Sequence, residues 1–206
     1  MVLVSAMAVQ NEQSWVEYMQ RREQIRKALN EQPLGPAEAF GGAMPPSLLM
    51  RSEAVRKLPA LDAGVQEAWL FHGTSKAGAE GITSEDFRIS LAGSAAGTLY
   101  GRGIYLAEAC TKSDEYTSEA ALGTDRYLLL CRATLGRVYY TDEVTHDPRE
   151  LEQLCESGQF HTVLGDREKR RGTYREFIVY DDDQVYAAYI LCYRRQVYNW
   201  KQTVKR

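Results

Sequence analysis

A chain of 206 residues that is 44% hydrophobic and 26% charged can bury a core, and it reads as one folded domain with room for an appendage. Its net charge of −3 argues against a grip on nucleic acid across the whole domain, and no apolar run approaches the ~20 residues a membrane helix needs. The four cysteines, Cys110, Cys131, Cys155 and Cys192, form no CxxC pair and only three histidines occur, so no zinc cluster or other metal is expected.

In chain order, Met1 to Val4 is apolar but lacks a basic flank and soon turns polar, a poor signal peptide. Asn11 to Glu31 is predicted as a helix: Trp15, Met19, Ile25 and Leu29 fall near one face, Asn11 or Ser14 caps the start, and Pro33, Gly35 and Pro36 stop it. Trp15 is the side chain expected to dock this helix, because one large aromatic buries much surface. Pro33 to Pro46 reads as a linker and Pro46 to Leu58 as a short second helix. From Glu67 the texture changes. Strands are predicted at Ala68 to His72, Gly103 to Ala107 and Tyr127 to Leu135, the last continued by Arg137 to Thr141 after Gly136. Lys76 to Ile82 and Glu108 to Ser118 read as helices, and Asp147 to Glu156 as a helical turn. Arg167-Glu168-Lys169-Arg170-Arg171 is the one dense basic run and reads as a solvated loop. Tyr174 to Asp181 and Gln184 to Arg194 are β-rich runs split by Asp182-Asp183, expected as neighbouring antiparallel strands. The sum is an α+β fold, with residues 1–66 a helical extension and linker packing on a core of residues 67–206. Cys131 and Cys192 lie in apolar runs and read as buried free thiols, which fits a reducing compartment.

Three patches carry chemistry: Phe71-His72-Gly73-Thr74, Gly101-Arg102-Gly103-Ile104-Tyr105 and Tyr174-Arg175-Glu176-Phe177-Ile178-Val179-Tyr180. Period-2 alternation puts Glu176 on one face with Ile178 and Tyr180, a costly place for a carboxylate unless it is paired or at a cleft. Gly73 leaves its backbone open to a carboxamide. Tyr105 and Tyr116, eleven residues apart, suit the two faces of a flat, electron-poor ring. Gly101-Arg102-Gly103 is not a dinucleotide fingerprint, because the third glycine is missing and the following Ile-Tyr-Leu-Ala is strand-like.

His72, Tyr105 and Glu176, each in its local setting, resemble the catalytic trio of the poly(ADP-ribose) polymerase family, whose members cleave NAD and transfer ADP-ribose. The resemblance runs from about Trp69 to Arg194. It implies an ADP-ribosyltransferase-like split antiparallel β-sheet core with short helices, preceded by an N-terminal helix. NAD would then be a consumed substrate, and residues 67–206 its binding core. By the same resemblance Glu176 stabilises the oxocarbenium-like transition state, His72 holds a ribose hydroxyl, Gly73 binds the nicotinamide amide, and Thr74 lies near the adenosine ribose. Lys112-Ser113-Asp114-Glu115-Tyr116 resembles the family's lysine-serine-x-x-tyrosine helix, which assigns the carboxamide to Ser113 and ring stacking to Tyr116. Arg88 and the loop Ser90 to Gly97 resemble the donor loop. The implied partners are protein acceptors, the chain itself among them, with no membrane and no nucleic acid, in the nucleus or cytoplasm. Val9-Gln10-Asn11 with Trp15 and Tyr18 resembles the opening helix of members that transfer single units, whereas Glu176 resembles the chain-elongating ones. The alternative is a catalytically weak module that binds NAD or ADP-ribose. An arginine-directed transferase would need Glu-x-Glu, and position 174 is Tyr.

Overall fold

The computed structural model describes residues 1–46, 57–91, 99–117, 121–143 and 145–196. Among these residues the strands form two four-stranded sheets. The first has the order β1 (Val2–Ala8), β8 (Val185–Arg194), β4 (Asp125–Thr134), β2 (Glu67–Thr74), with every pairing antiparallel. The second has the order β3 (Ile104–Leu106), β7 (Arg175–Val179), β6 (Thr162–Asp166), β5 (Val138–Thr141), antiparallel except for the parallel β5–β6 pair. The architecture is α+β, as expected.

Strand alternation builds the layers. Leu70, Leu129 and Cys131 from the first sheet share one cluster with Leu106, Leu164, Phe177 and Val179 from the second. The residues one step out of phase face the other way. Trp69 meets helix α1 (Glu12–Glu31), while Val163 and Ile178 pack with Leu151 of α4 (Pro148–Glu156). The remaining helices are short: α2 (Lys76–Glu85), α3 (Cys110–Ser113) and α5 (Arg167–Arg171).

Helix α1 starts where its sequence says, with the Asn11 side chain accepting from the Ser14 N–H at 3.2 Å. Its anchor is Tyr18 rather than Trp15. Tyr18 is fully buried, and Trp15 stays half-buried with its ring edge-on to Tyr186 at 5.0 Å. The Tyr18 hydroxyl donates to Glu67 at 2.5 Å and accepts from Thr134 at 3.0 Å. Glu67 also receives two bonds of 2.7 Å from Arg132 and one of 2.7 Å from the Asp62 N–H. Burial pushes the Glu67 carboxyl up, but the bonds from Arg132, Tyr18 and Asp62 outweigh it and hold the group below the usual carboxylate range.

Several expectations need correction. Val2 to Val4, read in the sequence only as an apolar run, lies in strand β1, which pairs with β8 at the sheet edge. Arg137 to Thr141 does not prolong the strand before it: Gly136 takes a φ of 56°, and the chain crosses to the second sheet, where β5 pairs with β6. β7 and β8 are not neighbours either. Asp182–Gln184 forms a 3-10 turn without the positive φ that a two-residue hairpin requires, and Gln184 is pinned by bonds to the Thr134 and His161 carbonyls, both 2.8 Å. The segment from Glu108 yields one α-helical turn, α3, followed by a 3-10 turn at Asp114–Tyr116. The basic run is helix α5 rather than a loop. Most of the expected helix from Pro46 to Leu58 lies outside the described residues. All four cysteines are free thiols, Cys131 and Cys192 buried.

Candidate active site

The two sheets are joined at one seam. Phe71 of β2 and Ala107, just after β3, exchange backbone bonds of 2.7 and 2.9 Å. β2 is the last strand of its sheet, so Phe71 turns its N–H and C=O to the open edge. Antiparallel bonding alternates with period two, which puts the N–H and C=O of Gly73 on that same edge. Only glycine fits there, because a Cβ at position 73 would overlap the Ser113 carbonyl. Ser113 follows in α3, and its hydroxyl donates to the Phe71 carbonyl at 2.9 Å. With its proton committed there, Oγ is left as an acceptor facing the Gly73 edge.

His72 is oriented by its neighbour strand. Its Nδ1 lies 3.0 Å from the Tyr105 carbonyl, which only accepts, so Nδ1 carries the proton. Burial lowers the His72 pKa, so the ring is neutral at pH 7 and Nε2 is an acceptor. The ring stands edge-on to Phe87 at 5.2 Å. The Tyr105 hydroxyl donates to the Gly101 carbonyl at 2.8 Å and accepts from the Tyr100 N–H at 3.0 Å, tying its ring to the turn that precedes β3. Burial raises the pKa of Tyr105, as it does for Tyr116, where the charge of Glu176 adds to it.

Glu176 sits in β7 on the face that carries Ile178, with 2% of its surface exposed. The Tyr116 hydroxyl donates to its Oε1 at 2.7 Å, and Lys112 Nζ lies 3.6 Å from the same oxygen. Arg167 approaches Oε2 at 3.8 Å. Lys112 is itself buried, 2.7 Å from Glu115 and 4.9 Å from the centre of the Tyr116 ring. A carboxylate this desolvated persists only with such partners.

The fold thus gathers His72, Gly73, Tyr105, Ser113, Tyr116 and Glu176 around the seam. Thr74 ends β2, half-buried and packed against Gly78. Arg88 is not drawn in: it is exposed and pairs with Glu85 at the end of α2. Residues 92–97 of the expected donor loop lie outside the described residues. Lys112 and Arg167 as partners of Glu176 are what the sequence reading missed. Lys112 had a signal, since Lys112 and Tyr116 are four residues apart and one helical turn brings them to one side. Arg167 had none beyond its charge.

Comparison with known proteins identifies a family. The family model for the poly(ADP-ribose) polymerase catalytic domain matches residues 1–195. A poly [ADP-ribose] polymerase 2-B from Oryza sativa subsp. japonica is 28% identical over 146 residues, 59% of this chain and 24% of the rice protein. A poly [ADP-ribose] polymerase tankyrase from Caenorhabditis elegans is 33% identical over 81 residues, 39% of this chain and 4% of the worm protein. The chain therefore spans a quarter or less of these relatives' length.

Proposed function

The chain belongs to the poly(ADP-ribose) polymerase catalytic domain family, and from that premise we propose that it is an NAD-dependent protein ADP-ribosyltransferase. In this reading it releases nicotinamide from NAD and transfers ADP-ribose to a protein acceptor. The observation that carries the reading is Glu176, a buried carboxylate held by Tyr116 and Lys112 beside the Gly73 edge.

The chemistry follows from the donor and acceptor inventory. Gly73 N–H meets the carboxamide oxygen, and Gly73 C=O and Ser113 Oγ accept from its nitrogen. The rings of Tyr105 and Tyr116 flank the nicotinamide. His72 Nε2 accepts from a ribose hydroxyl, and Thr74 lies toward the adenosine half. As the glycosidic bond lengthens, positive charge grows on the ribose, and Glu176 stabilises it most strongly in the transition state. Lys112 and Tyr116 fix that carboxylate in place, so it need not reorganise during the reaction.

Incubation of the folded protein with labelled NAD and candidate acceptors tests the reading. Nicotinamide release together with label on protein is expected. Ligand binding without either product would convert the assignment to a binding module.

A further inference from the structure

Ser113 and Tyr116 sit on a turn too short to stand alone. It consists of α3, four residues long, and the 3-10 turn at Asp114–Tyr116. An isolated helix needs ~12 residues or more to persist in water, so this one is held by its surroundings. In such a turn residues three apart lie on one side. Ser113 and Tyr116 form the row that meets Phe71 and Glu176, each through a single side-chain hydrogen bond. Asp114 and Thr117 form the next row, which meets β4, β8 and Arg195 instead.

That second row is the more heavily bonded. The Asp114 carboxylate accepts from the Tyr193 hydroxyl and from Arg195, whose Nε lies 3.0 and 2.7 Å from its two oxygens and whose Nη2 lies 2.6 Å from Oδ2. The same Nη2 donates to the Asp114 carbonyl at 3.1 Å, so one guanidinium holds side chain and backbone together. Thr117 Oγ1 donates to that carbonyl at 2.9 Å and accepts from Arg126 at 2.9 Å. Arg126 of β4 and Tyr193 of β8 are cross-strand partners on one sheet face, and both are buried. Burial pushes the Asp114 carboxyl up, but the bonds from Arg195 and Tyr193 outweigh it and hold the group below the usual carboxylate range. The ion pair is therefore formed at neutral pH.

On its first row the turn has no slack. A Cβ at position 73 would overlap the Ser113 carbonyl and lie 3.2 Å from the Tyr116 Cβ. A shift of the turn by about 1 Å therefore changes the space between Gly73, Ser113 and Tyr116 and spoils the fit of anything bound there. We infer that Asp114, clasped by Arg195 and Tyr193, is a positioning residue for the nicotinamide slot: it fixes the turn that carries Ser113 and Tyr116 at its distance from Gly73. This rests on the transferase reading above and names what sets the geometry of that same site. Asp114 stands at the first unspecified position of the lysine-serine-x-x-tyrosine pattern, so the family resemblance gives it no role.

The test is the dissociation constant of benzamide, a neutral ring carboxamide, measured by isothermal titration of the full chain. Asp114→Ala and Arg195→Gln are each expected to weaken binding about tenfold. Arg195→Lys keeps the charge and is expected to recover part of that loss. The double variant is expected to lose no more than the worse single one, because both act through one contact. The unfolding midpoint without ligand is followed in parallel and is expected to move little, since the Arg195 side chain is 38% exposed and such ion pairs add little stability. Three results overturn the clasp: unchanged benzamide affinity in Asp114→Ala, losses that add in the double variant, or a midpoint that falls in step with affinity and is not recovered by Arg195→Lys. A wild type that binds no benzamide overturns the slot and the clasp with it. NAD cleavage measured alongside separates the clasp from the transferase. Affinity that depends on Asp114 without cleavage refutes the transferase alone; cleavage with affinity indifferent to Asp114 refutes the clasp alone.

Discussion

Replacing Glu176 with Gln keeps its shape and a hydrogen-bond acceptor for Tyr116 but removes the charge. Transfer is expected to fall by on the order of 10²-fold or more, with NAD binding weakened far less, because the charge acts mainly in the transition state. Turnover and NAD affinity measured separately check this, and wild-type-like turnover would end the assigned role. His161 gives a second prediction. In the fold it is buried, with Nδ1 accepting from the Arg137 N–H at 2.9 Å. Burial, aided by the charges of Arg21 and Arg137, lowers its pKa to about 4. The folded state thus refuses a proton that the unfolded chain takes below about pH 6.5. Stability from this group is full above pH 6.5, declines as pH falls, and levels off below pH 4, a loss of about 3 kcal/mol. Denaturant titrations across that window should show His161→Asn losing less than wild type, and parallel profiles would count against the cause.

Elements are held to one another by a few desolvated polar contacts on top of apolar packing. Helix α1 could slide on an apolar face alone, since such packing has little directional demand. Tyr18, Glu67 and Arg132 remove that freedom by joining the helix to β2 and β4 through bonds of 2.5 to 2.7 Å. Glu67→Gln would leave the buried Arg132 guanidinium without its counter-charge. A cost of about 3–5 kcal/mol is expected in urea unfolding. A change below 1 kcal/mol would show that the helix is held by packing, with Trp15, Tyr18 and Tyr186 as its main contacts. Like charges also meet between elements: the carboxylates of Glu17, Asp86 and Asp183 lie within 4.8 Å of one another. Burial raises the pKa of Asp86 and of Asp183, and neighbouring acidic groups add to it.

At the scale of the whole molecule, the site is a seam between two sheets, so a ligand bound there should stabilise both. A benzamide presents the carboxamide and ring that the slot proposed at Gly73, Ser113 and the two tyrosines would take. At 100 times its dissociation constant it should add about 2.7 kcal/mol and raise Tm by roughly 5–11 °C. No shift at saturation in a folded sample would discard the slot. Product length belongs to this scale as well, and we expect single or short-chain transfer. Two rings between Gly136 and Tyr174 that could stack an acceptor adenine, Phe160 and His161, are committed elsewhere: Phe160 packs edge-on to Tyr139 at 5.2 Å, and His161 is buried. Intact-protein mass spectrometry should find one mass increment per modified site, and a ladder of long polymers on a sequencing-type gel would refute this.

By itself the sequence determined what depends on neighbours along the chain. Asn11 and Pro33 bracket α1 because capping and the missing proline N–H are local effects. Glu176 shares a face with Ile178 because a strand alternates whatever it pairs with. The three patches were legible for the same reason, each being a short run with its own chemistry. Only the tertiary structure decided the pairings. β5 left β4 at Gly136, and β7 and β8 parted at Gln184, because a strand's partner is selected by packing and hydrogen bonds contributed from far along the chain. Tyr18 displaced Trp15 as the anchor because a distant Glu67 and Thr134 satisfy its hydroxyl. Lys112 and Arg167, 55 positions apart by number, converge on one carboxylate for the same physical reason: burying Glu176 requires opposite charge from whichever elements the fold brings beside it.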